Sequence, residues 1–149
     1  SGTRVIFEGP FGRLSDRART HDRVALIGAG VGVTPLRALA EGLDYARGEA
    51  VMLQRFRDRP LMQPEFDQLA TERGLELLWL PGARRSDDSW LGPHAGSASD
   101  LTSLLHWVPD IADRDTYVCG PSAWTAQVVR TLQTAGLSPD QIHIESFSW

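Results

Sequence analysis

The 149-residue sequence has one cysteine, no lysine and no apolar run long enough to cross a bilayer. Each shortage narrows the possible functions. A lone Cys119 excludes an internal disulfide and favours a reducing compartment. All 15 basic residues are arginine and 19 residues are acidic, so the net charge of -4 argues against a nucleic-acid binder. What positive charge there is comes as guanidinium forks, a shape suited to phosphate. The four histidines, His21, His94, His106 and His143, show no ligand spacing with one another or with Cys119, so no metal site is expected. The opening "SGTRV" lacks a secretory apolar core, and no targeting signal is expected. With 42% hydrophobic and 23% charged residues, the composition suits one soluble globular domain with a core of its own.

What is present is an alternation of strands and helices. "TRVIFEGPFG" (residues 3–12) reads as a half-buried strand stopped by Gly9-Pro10, and "RLSDRARTHD" as a polar linker. "RVALIGAG" (23–30) is nearly all apolar, the pattern of a strand buried on both faces of a parallel sheet. Thr34-Pro35 opens a helix expected to run to about Arg47, with Leu36, Leu39, Ala40 and Leu43 at helical spacing. The cycle repeats with a strand over 49–56, a helix ending at Gly74 and a strand over 75–82. Residues 83–99 are polar and rich in Gly, Ser and Asp, an irregular loop by composition. A short helix follows, capped by Ser99 or Asp100, then a strand over 115–120, a helix closed by Gly136 and a last strand over 141–149. The expectation is an α/β fold with an open five-stranded parallel sheet and helices on both faces.

The turn "IGAGVGVTPL" (27–36) is the chemically pointed part. A strand entering a helix through Gly28, Gly30 and Gly32 lets the backbone approach a ligand, and free N–H groups at the helix start favour an anion such as pyrophosphate. A tight strand-to-helix connection needs similar glycines, so two readings stand at this point. The dehydrogenase fingerprint does not fit: Val33 holds its third glycine position, and Gln54, Arg55, Phe56 and Arg57 stand where an acid should end the second strand.

Four ordered motifs resemble the ferredoxin reductase-like superfamily: "EGPFG", "GVGVTP", "YVCGP" and the terminal "IHIESFSW". The resemblance spans essentially the whole chain. Within it, "LLHWVPDIADRDTYVCGP" is most similar to the ferric reductase and NADPH oxidase-type branch. The resemblance implies the strand order 3-2-1-4-5, counted from "RVALIGAG", of the superfamily's C-terminal domain. It divides the chain into residues 1–20, the end of a flavin barrel and its linker, and 21–149, an NAD(P)-binding domain. It implies that Gly28, Gly30, Val31, Gly32, Thr34 and Pro35 form the pyrophosphate turn. Cys119, Gly120 and Pro121 would lie beside the nicotinamide, and Trp149 would cover the flavin face as a displaceable lid. FAD would sit on a separate upstream domain of the same parent, which the ferric reductase branch would supply with haem-bearing membrane helices. This domain would then be cytoplasmic at the inner membrane face, without contacting the membrane itself. One departure is Trp124, where the superfamily often has methionine.

Arg84 and Arg85 follow the third strand, where the 2'-phosphate of NADP(H) would lie, and favour it over NAD(H). A charged, solvated face explains these two, and Arg55 and Arg57, as well. Cys119 also fits a buried small hydrophobe, Trp149 a chain end, and Asp87, Asp88 and Asp100 a loop and helix cap. Tyr117 and Trp107 read as core and shell. A different class, a dinucleotide-sensing module without redox chemistry, needs no role for Cys119 or Trp149. A self-contained dehydrogenase needs a substrate domain that this length does not supply.

Overall fold

The structure, a computed structural model, describes residues 19–147. The expected strand over 3–12, most of the linker, and Trp149 lie outside the described residues. Residues 19–23 lead without regular structure into β1 (Val24–Ala29). The described elements then follow in order: α1 (Val33–Gly42), β2 (Ala50–Phe56), α2 (Gln63–Arg73), β3 (Glu76–Pro81), α3 (Asp100–Trp107), β4 (Asp115–Pro121), α4 (Ser122–Thr134) and β5 (Ile142–Phe147).

All four strand pairings are parallel, in the order β3-β2-β1-β4-β5. β1 is central, and the near-continuous apolar run that fits it there leaves Val24 to Ile27 without exposure. Val24, Leu26, Ala50, Met52, Tyr117 and Cys119 pack on one face with Leu36 and Leu39 of α1 and Phe66 and Leu69 of α2. Ala25, Ile27, Val51, Leu53 and Val118 pack on the other with Leu104 of α3 and Val128 and Leu132 of α4. Helices thus cover both faces. The chain steps outward from β1 to β3 and then returns to place β4 on the other side of β1, so the carboxyl ends of β1 and β4 flank the crevice where open α/β sheets take their ligands.

Two elements differ from expectation. α1 stops at Gly42, not near Arg47, because Leu43 turns to an extended conformation and is itself buried. The carbonyls it leaves are taken from outside the helix: Arg73 of α2 donates to Ala40, Glu41 and Leu43, and the Tyr45 hydroxyl donates to Ala40. The second difference is larger. Residues 83–99 are not simply a polar loop, since Trp90 and Leu91 at its centre are fully buried in the α3–α4 core. The Trp90 ring meets Trp124 edge to face at 6.1 Å, and its indole N–H donates to Thr131.

Candidate functional site

The glycine turn leaves β1 through Ala29, which is extended, into a single 3-10 turn over Gly30–Gly32 and then α1. Gly30 has φ +59 with open space where a side chain would stand, so the left-handed backbone itself calls for glycine. At Gly32 the cause is different. A Cβ there would overlap the Cys119 carbonyl, and only a glycine lets the turn close on β4. Gly28 lies beside Cys119 in register and against Leu36, so it too serves strand–helix packing. Gly28 and Gly32 thus serve the tight strand-to-helix connection, and Gly30 the left-handed turn at its exposed tip.

α1 begins with no acidic residue in its first turn and no side-chain cap, and the same is true of α4, which starts directly after β4. α1 continues from the Gly30–Gly32 turn, whose Gly30 and Val31 carbonyls take the Val33 N–H, so the amino end of this helical run is the glycine turn itself. That end and the start of α4 lie at the carboxyl ends of adjacent strands, where the helix dipole favours an anion. Val31 stands 58% exposed at the tip of the turn, and Thr34 is also exposed, whereas Pro35 is buried beneath them.

On β4, directly beside Gly28, Cys119 has no exposed surface, and burial followed by the charge of Glu145 pushes its thiol far above the ordinary value. A thiol so held stays protonated and is no nucleophile. Gly120 lies under the Trp124 ring, and Pro121 is partly exposed. The methionine-to-tryptophan departure thus has a structural role here: the Trp124 indole N–H donates to the Trp90 carbonyl at 3.0 Å.

The four arginines at the ends of β2 and β3 have separate fates. Arg57 is exposed. Arg84 donates to the carbonyls of Ser89 at 2.8 Å and Asp87 at 2.8 Å, neutral acceptors, and pairs with no carboxylate among the described residues. Arg85 is paired with Asp100 at 2.7 Å and also donates to Ser89 and Gly96. Arg55 overturns the expectation of a solvated face. It is 5% exposed, on the same face of β2 as Val51 and Leu53, and donates to the carbonyls of Trp90 and Leu80. Burial, then repulsion from Arg84 and Arg57, brings its pKa down to about 10, so it remains charged at neutral pH. Both faces of β2 are buried, so strand periodicity gives no signal for the burial of Arg55, which depends on the loop that carries Trp90. His94 is held below its ordinary value by burial and by Arg55 and Arg85, against the opposing bond to the Pro81 carbonyl.

Asp100 proves to be the anchor of the 83–99 loop, accepting from Arg85, Ser89 and the Trp90 N–H, while Ser99 caps α3 through Thr102. His21 and His143, far apart in sequence, meet at buried Asp115 at the opposite, amino end of the sheet. Among the described residues no group of three or more His, Cys, Asp or Glu could hold a metal ion, and no helix is long and apolar enough to cross a membrane.

No family model matches the chain. Curated relatives do. The stachydrine N-demethylase reductase subunit Stc4 of Rhizobium meliloti is 26% identical over 152 residues, covering 99% of this chain and 42% of its own length. In Chromohalobacter salexigens, the glycine betaine monooxygenase reductase subunit is 26% identical over 161 residues, covering 98% of this chain and 41% of its own length. The chain thus spans about two-fifths of the curated relatives it matches. Among solved structures, the FAD/NAD-binding domain of nitric oxide dioxygenase from Vibrio cholerae superposes with a TM-score of 0.62 at 26% identity, covering 87% of this chain and 53% of that one. The relatives are named as reductase subunits and the Vibrio cholerae structure as an FAD/NAD-binding domain, and the five-stranded parallel sheet in the order β3-β2-β1-β4-β5 matches the ferredoxin reductase-like C-terminal fold.

Proposed function

We propose that this chain is the pyridine-nucleotide half of a flavin-dependent oxidoreductase, binding NAD(P)H and presenting its nicotinamide to FAD on a separate upstream domain. The observation that carries this reading is the convergence of two helix starts without an acidic residue in their first turns, the Gly30–Gly32 turn that leads into α1 and the start of α4, on the carboxyl ends of adjacent strands β1 and β4. A dinucleotide fits that donor set: outward-facing Gly30 leaves room for pyrophosphate, and no carboxylate in either first turn opposes it. Gly28, Gly30, Val31, Gly32, Thr34 and Pro35 form the pyrophosphate side. Partly exposed Pro121 offers ring surface to the nicotinamide, with buried Gly120 and Cys119 acting as packing beneath it. Trp149 is the proposed cover of the flavin face. The bound cofactors supply the hydride transfer, and the protein supplies orientation and exclusion of water.

NADP(H) is the preferred nucleotide in this reading. Arg84, paired with no carboxylate among the described residues, and exposed Arg57 make the better pair for a 2'-phosphate, because Arg85 is committed to Asp100. The narrower placement in the ferric reductase and NADPH oxidase-type branch, with a haem-bearing membrane parent and a cytoplasmic location, rests on the run from Leu104 to Pro121.

The test is to supply the parent's flavin domain, add NADPH and follow the flavin absorbance. Bleaching that depends on this chain is the expected result. Tight dinucleotide binding with no bleaching would instead establish the sensing module.

A further inference from the structure

One backbone carbonyl in the 83–99 loop is claimed from two directions. The Trp90 carbonyl accepts the Arg55 Nε–H from β2 at 2.9 Å and the Trp124 indole N–H from α4 at 3.0 Å. Arg55 also spans to β3 through the Leu80 carbonyl at 2.6 Å. Its acceptors are neutral, and the charges that act on it, Arg84 and Arg57, have its own sign. A guanidinium buried beside like charges carries a desolvation cost that neutral carbonyl acceptors only partly offset. Some other requirement keeps the fork there.

The loop geometry supplies that requirement. Arg84 is held by the carbonyls of Asp87 and Ser89, within the three residues before Trp90 in the chain, so the place of its guanidinium follows from where Trp90 is fixed. On the far side, Trp124 packs so closely over β4 that a Cβ on Gly120 would stand 2.7 Å from its ring. The Trp90 carbonyl therefore joins the arginine corner at β2 and β3 to the Gly120 end of β4.

We propose that Arg55 is a positioning residue that fixes the Trp90 carbonyl, jointly with Trp124, and thereby holds Arg84 where a phosphate monoester is met at the carboxyl ends of β2 and β3. This rests on the dinucleotide reading above, and the ligand class is an adenosine nucleotide carrying a 2'-phosphate.

Adenosine 2',5'-bisphosphate and 5'-AMP, titrated separately by calorimetry into the 149-residue chain, isolate the 2'-phosphate as the ratio of two affinities. In the unchanged chain that ratio should be at least about tenfold, the size of one charge-assisted contact. Arg55→Met should bring the ratio close to one. Trp124→Phe, which keeps a ring over Gly120 but loses the donor, should lower it by several-fold. Because both donors act on one carbonyl, the double variant should fall no further than Arg55→Met alone. Arg55→Lys keeps the charge without the fork and should lower the ratio several-fold even if the Met variant does not fold. A ratio that survives either Arg55 substitution overturns the inference, as does a proportional loss for both nucleotides, which marks general loosening. A ratio of one in the unchanged chain overturns the phosphate site and the inference together. Retained 5'-AMP binding would then leave the dinucleotide site standing.

Discussion

Two buried polar atoms on β4 show how much of this domain is decided by single side chains. The Thr116 hydroxyl is fully buried and has no hydrogen-bond partner among the described residues. Leaving such a group unpaired costs about 1–3 kcal/mol, so Thr116→Val should raise the unfolding free energy by about 1 kcal/mol in urea denaturation. Cys119 gives a pH signature. Its thiol is held up by burial and by Glu145, so above the ordinary thiol range the unfolded chain loses a proton that the folded chain keeps. Stability must then fall as pH rises through that range, by up to about 1.4 kcal/mol per pH unit. Cys119→Ala should lack this component; parallel stability curves for the two proteins would contradict it. The sequence marks Cys119 through its Cys-Gly-Pro setting, but nothing in it distinguishes a thiol facing the crevice from one packed under α1. That distinction comes from its register beside Gly28.

At the scale of elements, legibility follows from whether the cause is local. Ser99, Gly74 and Pro35 act within their own helices, and the boundaries they mark lie within a residue or two of expectation. The end of α1 does not, because Arg73, some thirty residues away, collects its last carbonyls. The 83–99 loop misleads for a related reason. Its composition is polar, yet it carries Trp90, one of the largest fully buried side chains, with its N–H, indole and carbonyl all bonded to other elements. Trp90→Ala should therefore cost about 3–5 kcal/mol, as in a core, where an ordinary surface loop would lose about 0.5 kcal/mol or less. Thermal unfolding near that of the unchanged chain would contradict the loop's structural role.

For the whole molecule, the order β3-β2-β1-β4-β5 was readable from the alternation of elements and the resemblance of four motifs, and the crevice followed from that order. What was not readable is how the crevice is built from both sides. The carboxyl ends of β2 and β3 carry a buried cation, Arg55, whose burial depends on a loop folding back more than thirty residues later. The central claim is that the positive ends of α1 and α4 receive a dinucleotide. Thr34, exposed in the first turn of α1, separates that claim from fold stability. An aspartate there favours the helix dipole by about 0.3–1 kcal/mol but repels pyrophosphate. Calorimetric titration of NADPH into Thr34→Asp should show at least about tenfold weaker binding, one unit charge opposed at close range, with a melting temperature unchanged or higher. Equal affinity in the two proteins would contradict the account.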